Sequence, residues 1–254
     1  MTKEEIELNI ERKKSEIQKS CEKGIAVNCR ALNSLKFSED ETKALKIDND
    51  FYYIVVNTTR ILDSHEDLHI DGIWKKSVQD IQGKNYLVSD HDLEIESVIV
   101  RKEHIEILTA KLSFQSLGYP YEGNTEALIY KVKKDKVKDS IKEWLDSGDS
   151  IEASVRMQYV QIAFAMDSNN PEDAAYKTVY DLYIDQIANK EDFDYIPYFY
   201  VIKEAKNVKE SSLVVFGSNH VTGVAKNKPE PTIVTPEIPE PITITQTKKR
   251  RILI

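Results

Sequence analysis

Cysteine is scarce in this sequence: two residues, Cys21 and Cys29, among 254. Two thiols cannot form a disulfide framework, and they predict a reducing compartment. No four-ligand cluster of Cys and His has zinc-site spacing, so no metal or other cofactor is expected. Glycine and proline number only eight each. Neither GxGxxG nor GxxxxGK[ST] occurs, which excludes the glycine-rich phosphate cradles. No apolar run approaches the ~20 residues of a membrane-spanning helix. The opening MTKEEIELNIERKK has no apolar h-region, so a secretory signal is not expected. Basic residues are outnumbered, 35 Lys and Arg against 43 Asp and Glu, for a net charge of −8. That balance argues against a general nucleic-acid binder, which needs a basic footprint. What remains is 41% hydrophobic and 31% charged, enough apolar material for a sizeable core and for one large domain or two small ones.

The chain reads as three segments: an N-terminal helical segment over 1–50, a β-rich domain over 51–225 and a Pro-rich tail over 226–254. Residues 2–22 have helical periodicity, with Ile6, Ile10, Ile17 and Cys21 on one stripe. Thr2 and Glu5 have the spacing of a capping box. The stripe is expected to pack on its own domain; a helix that docks a partner is the alternative. Residues 51–62 read as a buried strand. DSHEDLHIDGIW reads as a loop, 73–82 as a short helix and YLVS at 86–89 as a short strand. Two paired strands are expected around 96–102 and 104–114, followed by a turn at Glu122-Gly123-Asn124. A helix is expected from about Lys134 to Ser147, with Val137, Ile141, Trp144 and Leu145 inward and Gly148 beyond its end.

Residues 151–165 read as a long strand, with Ala153, Val155, Met157 and Tyr159 on one face and Ser154 and Arg156 on the other. A second helix is expected from about Pro171 to Lys190, with Ala175, Val179, Leu182, Tyr183 and Ile187 inward. Two more strands are expected over 195–203 and 208–216. The tail holds five of the eight prolines and reads as extended. From residue 226 on, six cationic side chains face three anionic ones, so the tail carries +3 and the rest −11. It ends Lys248-Lys249-Arg250-Arg251 and then Ile-Leu-Ile, and reads as a solvated linker or a docking peptide. Few helices among many strands predict a mainly β, α+β fold built on an antiparallel sheet or barrel.

Chemistry is sparse. His65 and His69 are four apart but sit in a polar loop pattern, and no HExxH forms. His104 is expected at the surface and His220 in a loop. His91 is different, because it ends a short apolar strand between Asp90 and Asp92, where a cleft-facing imidazole can be oriented by carboxylates. Ser154 interrupts an apolar strand with a small hydroxyl, which serves packing or a nucleophile. No GxSxG elbow is present, so an α/β-hydrolase is not supported. Glu210, at the start of a buried strand, is placed to orient an imidazole.

The order of these blocks resembles the tailed-phage prohead (capsid maturation) serine proteases, whose fold is similar to herpesvirus assemblin. The likeness rests on a strand followed by Asp63-Ser64-His65-Glu66-Asp67-Leu68-His69-Ile70-Asp71-Gly72-Ile73-Trp74, on YLVSDHD with His91-Asp92, on WLDSGDSIEASV with Ser154-Val155, and on Glu210-Ser211-Ser212-Leu213-Val214. It spans roughly residues 51–220. It implies an antiparallel β-barrel of the assemblin type, with Ser154 as nucleophile, His91 as general base and Glu210 orienting the histidine. Arg156, on the same strand face as Ser154, is either a ligand for the oxyanion or a surface charge. The implied activity is a serine endopeptidase that cleaves scaffold and capsid proteins, and itself, during phage head maturation. The implied setting is the host cytoplasm, inside the assembling prohead. The implied partners are the phage scaffold protein and the major capsid protein, with no nucleic acid for the body, no membrane, and homo-oligomerisation left open. Three places depart from the family pattern: Arg156-Met157 after the serine and its neighbour Val155, Leu93–Ser97 without Gly, and Val215-Phe216-Gly217-Ser218 after the Glu210–Val214 motif. They carry the alternative, a catalytically inactive structural or scaffold-associated head protein of the same fold.

Overall fold

The structure, a computed structural model, describes residues 2–20, 45, 47–63, 65–147 and 151–214, and within 15–20 the backbone alone. The chain divides into a unit spanning Met1–Val224 and one spanning Ala225–Ile254. Cys21, Cys29, Ser64, Gly148, the segment from Val215 to Ser218, His220 and the Pro-rich tail lie outside the described residues.

Helix α1 spans Lys3–Ser20. Its start is the expected capping box: Glu5 N–H donates to Thr2 Oγ1 at 3.2 Å, and Thr2 N–H donates to Glu5 Oε2 at 2.7 Å. Ile6 is buried and Ile10 half-buried in the main core, so the described part of the stripe packs on its own domain. Strand β1, Phe51–Thr58, is buried on both faces, which explains its continuous apolar run. The stretch expected to be a loop contains a short strand, β2, Asp67–His69. Its polar side chains hid it, yet all three residues are buried. Then come α2, Lys75–Ile81, and β3, Tyr86–Ser89.

Strands β4, Val98–Val100, and β5, Ile105–Ser113, correct another expectation. They do not pair with each other. β4 pairs with β3, and β5 pairs with β6, Asn124–Lys133. The sequence reading gave no element to 124–133, although Tyr130, Leu128 and Val132 alternate toward the main core. Helix α3 is shorter than expected, Asp139–Ser147, after one 3₁₀ turn at Lys134–Lys136. Leu145 and Val137 are buried, but Trp144 is exposed.

Strand β7 covers Glu152–Met166. Helix α4 covers Ala174–Tyr183, preceded by a 3₁₀ turn at Pro171–Asp173 where Asn170 Oδ1 accepts the Glu172 N–H. Its inward stripe is Tyr176, Val179, Tyr180 and Tyr183, while Ala175 and Leu182 face solvent. The two terminal strands expected from the sequence are one, β8, Tyr198–Val214.

Two sheets result. β1-β6-β5 is antiparallel and three-stranded. The second has β8 at its centre: β7 runs antiparallel along one edge, and β2 and then β3 run parallel along the other. β4 closes the far side of β3. The fold is thus mixed α+β. The expected closed barrel is not found among the described residues, and the second sheet is mixed where an antiparallel one was expected. The physical reason is β8: at 17 residues it is long enough to hold one antiparallel neighbour throughout and two short parallel neighbours in succession. The main core lies between the sheets, with Tyr52, Ile54, Leu128 and Tyr130 from one and Ala153, Val155, Met157 and Ile202 from the other. A second core covers the outer face of the first sheet, and a third lies where α4 joins Phe199 and Val201. No helix among the described residues is long and apolar enough to cross a membrane.

Candidate active site

Ala153, Val155 and Met157 turn into the main core, so Ser154 and Arg156 point to the opposite face of β7. Directly across the ladder from Ser154 stands Ser212 of β8. Just beyond, the register slips: Val155 faces Ser211 and Met157 faces Asn207, so 208–210 stand against Arg156 alone. Lys209 takes a φ of +67° in this bulge, which bends β8 and sets Glu210 beside Arg156. β3 pairs with the same part of β8, Val88 opposite Ser212, and so delivers its end to the same spot.

There the chain turns sharply. Asp92 N–H donates to the Ser89 carbonyl at 3.0 Å, and Asp90 and His91 have φ of +52° and +56°. Two consecutive left-handed residues define a mirror-image β-turn. Asp and His, with Asn, are the non-glycine residues enriched in that region. The strain folds the His91 ring back over β8. The backbone N–H of His91 donates to Ser212 Oγ at 2.9 Å, and its backbone carbonyl accepts from an Arg156 terminal nitrogen at 2.8 Å.

The three predicted residues meet. His91 Nε2 lies 2.6 Å from Ser154 Oγ, and His91 Nδ1 lies 2.9 Å from Glu210 Oε1. A carboxylate only accepts, so Nδ1 carries the hydrogen, and the neutral ring then offers a bare Nε2 to the Ser154 hydroxyl. Ser154 and Glu210 have no accessible surface, Arg156 is 1% exposed, and the His91 side chain is 7% exposed. Arg156 is not a surface charge. Its Nε donates to Glu210 Oε1 at 2.6 Å, so that oxygen accepts from imidazole and guanidinium together. Glu210 Oε2 is buried with no hydrogen-bond partner among the described residues. A hydroxyl, an imidazole and a carboxylate thus stand in one continuous hydrogen-bonded line, the chemistry needed to activate a hydroxyl for attack on an acyl group.

Ser212 is the site residue that sequence reasoning missed as an individual. Its signal was its place two residues after Glu210, on the same face of the strand. A second polar cluster lies along the same sheet. His69, expected in a solvated loop, is buried: Nε2 is 3.1 Å from Tyr159 Oη and Nδ1 is 3.2 Å from Asn57 Nδ2. Tyr159 donates to Asp67 Oδ2 at 2.9 Å, and Lys13 of α1 reaches Asp67 Oδ1 at 2.6 Å. Burial, with the Lys13 charge adding to it, pushes the His69 imidazole down to about 4. Burial and the neighbouring Asp63 carboxylate push Asp67 up to about 7, against the pull of Lys13. His65 is exposed and His104 half-buried. No group of three or more His, Cys, Asp or Glu among the described residues is arranged to hold a metal ion.

Comparison with protein-family models, with curated proteins and with solved structures gave no match.

Proposed function

We propose that the protein is a serine endopeptidase that cleaves scaffold and capsid proteins, and itself, during phage head maturation. The observation that carries the reading is the continuous contact from Glu210 Oε1 through both ring nitrogens of His91 to Ser154 Oγ, at 2.9 and 2.6 Å. Its residues come from positions 91, 154 and 210, and their convergence on one buried point is not a by-product of local sequence. The order of sequence blocks supports the choice of substrate class. The setting is the host cytoplasm and the prohead interior, with the scaffold and major capsid proteins as partners.

His91 Nε2 takes the hydroxyl proton as Ser154 Oγ bonds to the peptide carbonyl carbon. The imidazolium hands that proton to the leaving amine as the C–N bond breaks, leaving an acyl-Ser154 ester. Water attacks the ester, His91 takes its proton, and the acid product leaves as Ser154 regains its hydrogen. Glu210 holds the ring and offsets its charge while it is protonated. The substrate carbonyl can reach Ser154 only after the groups that cover it part, since the serine has no accessible surface.

That same burial favours a second reading, a structural head protein with an idle triad. One experiment separates them. The full chain and its Ser154→Ala variant are treated with a fluorophosphonate and followed by intact mass for hours, with and without a scaffold protein from the same genome. A single adduct at Ser154 and truncations seen only in the unmutated chain are expected. No adduct, with chain and scaffold both uncut, refutes the enzymatic reading.

A further inference from the structure

We infer that Arg156 is a positioning residue that holds the catalytic imidazole from two sides, and that it is not the oxyanion ligand. The inference rests on the triad reading above. A guanidinium beside a carboxylate ordinarily pairs through two parallel bonds, one to each oxygen. Here the fork is split. Nε donates to Glu210 Oε1 at 2.6 Å, and the terminal nitrogen turns to the His91 carbonyl at 2.8 Å. The consequence is visible on Glu210, whose second oxygen is buried and without a partner among the described residues. A two-pronged grip would have satisfied that oxygen but released the His91 carbonyl.

The released carbonyl belongs to a residue that needs holding. His91 and Asp90 both lie in the left-handed region, at φ of +56° and +52°. Such backbone persists only where its surroundings over-determine it. The turn's flanks are held by backbone, Asp90 N–H to the Leu213 carbonyl and Asp92 N–H to the Ser89 carbonyl, both at 3.0 Å. His91's own backbone groups are held by two side chains, Ser212 Oγ accepting its N–H at 2.9 Å and Arg156 donating to its carbonyl at 2.8 Å. The Ser212 hydroxyl hydrogen has the Val88 and Leu213 carbonyls within reach, both at 3.1 Å. Both clamps stand on the strands that carry the nucleophile and the carboxylate, so ring, serine and acid are referenced to one rigid ladder. Both named nitrogens of Arg156 are thus engaged by groups that hold the ring, the Glu210 carboxylate and the His91 carbonyl. Lysine cannot substitute, because a single ammonium lacks the planar fork that reaches two acceptors at a fixed angle.

The test uses the full chain and three variants, Arg156→Lys, Arg156→Gln and Ser212→Ala. Arg156→Lys keeps the charge beside Glu210, so it guards against the outcome in which Arg156→Gln fails to fold; circular dichroism checks each variant. Two readouts are taken. The first is the low-field proton resonance of the His91 Nδ1–H bonded to Glu210, assigned by its loss in His91→Gln. The second is the rate of Ser154 labelling by a fluorophosphonate between pH 5 and 9. Folded Arg156→Lys is expected to lose or broaden the resonance, to label at least ~100-fold more slowly, the scale of a misplaced catalytic group, and to show a displaced pH profile. Ser212→Ala is expected to do the same more weakly. A folded Arg156→Lys with the wild-type resonance and an unmoved pH profile, slower or not, overturns the inference and returns Arg156 to the oxyanion role or to none. Absence of the resonance from the unmutated chain also overturns it. If the unmutated chain shows the resonance but Ser154 takes no label, the enzymatic reading fails while loss of the resonance in Arg156→Lys still upholds the clamp.

Discussion

Glu210→Gln is the most informative single change, because the structure dictates how the new amide must sit. Two donors, His91 Nδ1–H and Arg156 Nε–H, converge on Oε1. An NH₂ group in that place would face both of them, so the amide oxygen must occupy it and the NH₂ must replace Oε2. The ring therefore keeps its Nδ1–H and its tautomer. This differs from an acid-to-amide change that flips the tautomer, where the loss is about 10⁴-fold. What disappears here is the negative charge beside the imidazolium. Opposite charges ~4 Å apart at an effective dielectric of ~20 interact by about 4 kcal/mol. At about 1.4 kcal/mol per decade, that is a loss of roughly 10³-fold in the acylation rate. Stability also falls, because Arg156 is left buried without its counter-charge, at a cost of about 3–5 kcal/mol. The assay is the rate of fluorophosphonate labelling of Ser154 at pH 7, run below the variant's unfolding transition as judged by circular dichroism. A folded variant that labels within tenfold of the unmutated chain would refute the charge argument.

Other expectations concern stability. His69 has a folded value pushed from 6.5 to about 4, so its contribution is present above 6.5 and is lost as pH falls through 4. That gap is worth about 3 kcal/mol, and His69→Gln should flatten the decline in urea midpoint between pH 6.5 and 4; a slope equal to wild type would count against it. Asp67 is shifted the other way, up to about 7, so the neutral carboxyl favours the fold below about 4 and the benefit fades as pH rises through 7. Lys13→Met should therefore cost little at pH 4 and about 3 kcal/mol at pH 8, where a buried carboxylate has lost its partner; equal losses at both pH values would contradict this. Ile6→Ala should cost about 2–5 kcal/mol in a urea titration of the whole chain, because Ile6 is 1% exposed in the main core. A loss under ~0.5 kcal/mol, the scale of a surface change, would mean that α1 does not belong to the folded unit.

Ser154, His91 and Glu210 were legible because each interrupts, ends or begins a buried strand, and a polar residue in such a place must be either satisfied or used. The long periodic elements were legible for the reason that α1 and β7 are: one face is apolar at a single period. Legibility failed where burial was bought with polar pairing. β2 reads Asp-Leu-His, and only the partners Lys13, Tyr159 and Asn57 make its burial intelligible. β8 reads as two strands because Glu204, Lys206 and Asn207 interrupt its middle, yet Lys206 is exposed and Asn207 buried while the ladder continues through them. Strand partners were illegible altogether, since periodicity says which face is buried and not which edge is joined. Arg156 was half-legible: its face followed from spacing to Ser154, but its partners depend on a bulge in the facing strand.

The left-handed turn at Asp90 and His91 also bears on timing. No segment of the chain contains the triad by itself; it exists only after β3 has joined β8 on one side and β7 on the other. The contacts these pairings create, His91 with Glu210 and His91 with Ser154, join residues 119 and 63 positions apart, the slow kind of contact to form. On the proposed function, a newly made chain therefore carries an ordinary serine until its sheet is complete. The moment at which Ser154 first accepts a fluorophosphonate is then a clock for the last long-range step of folding, readable from a single covalent mass increment.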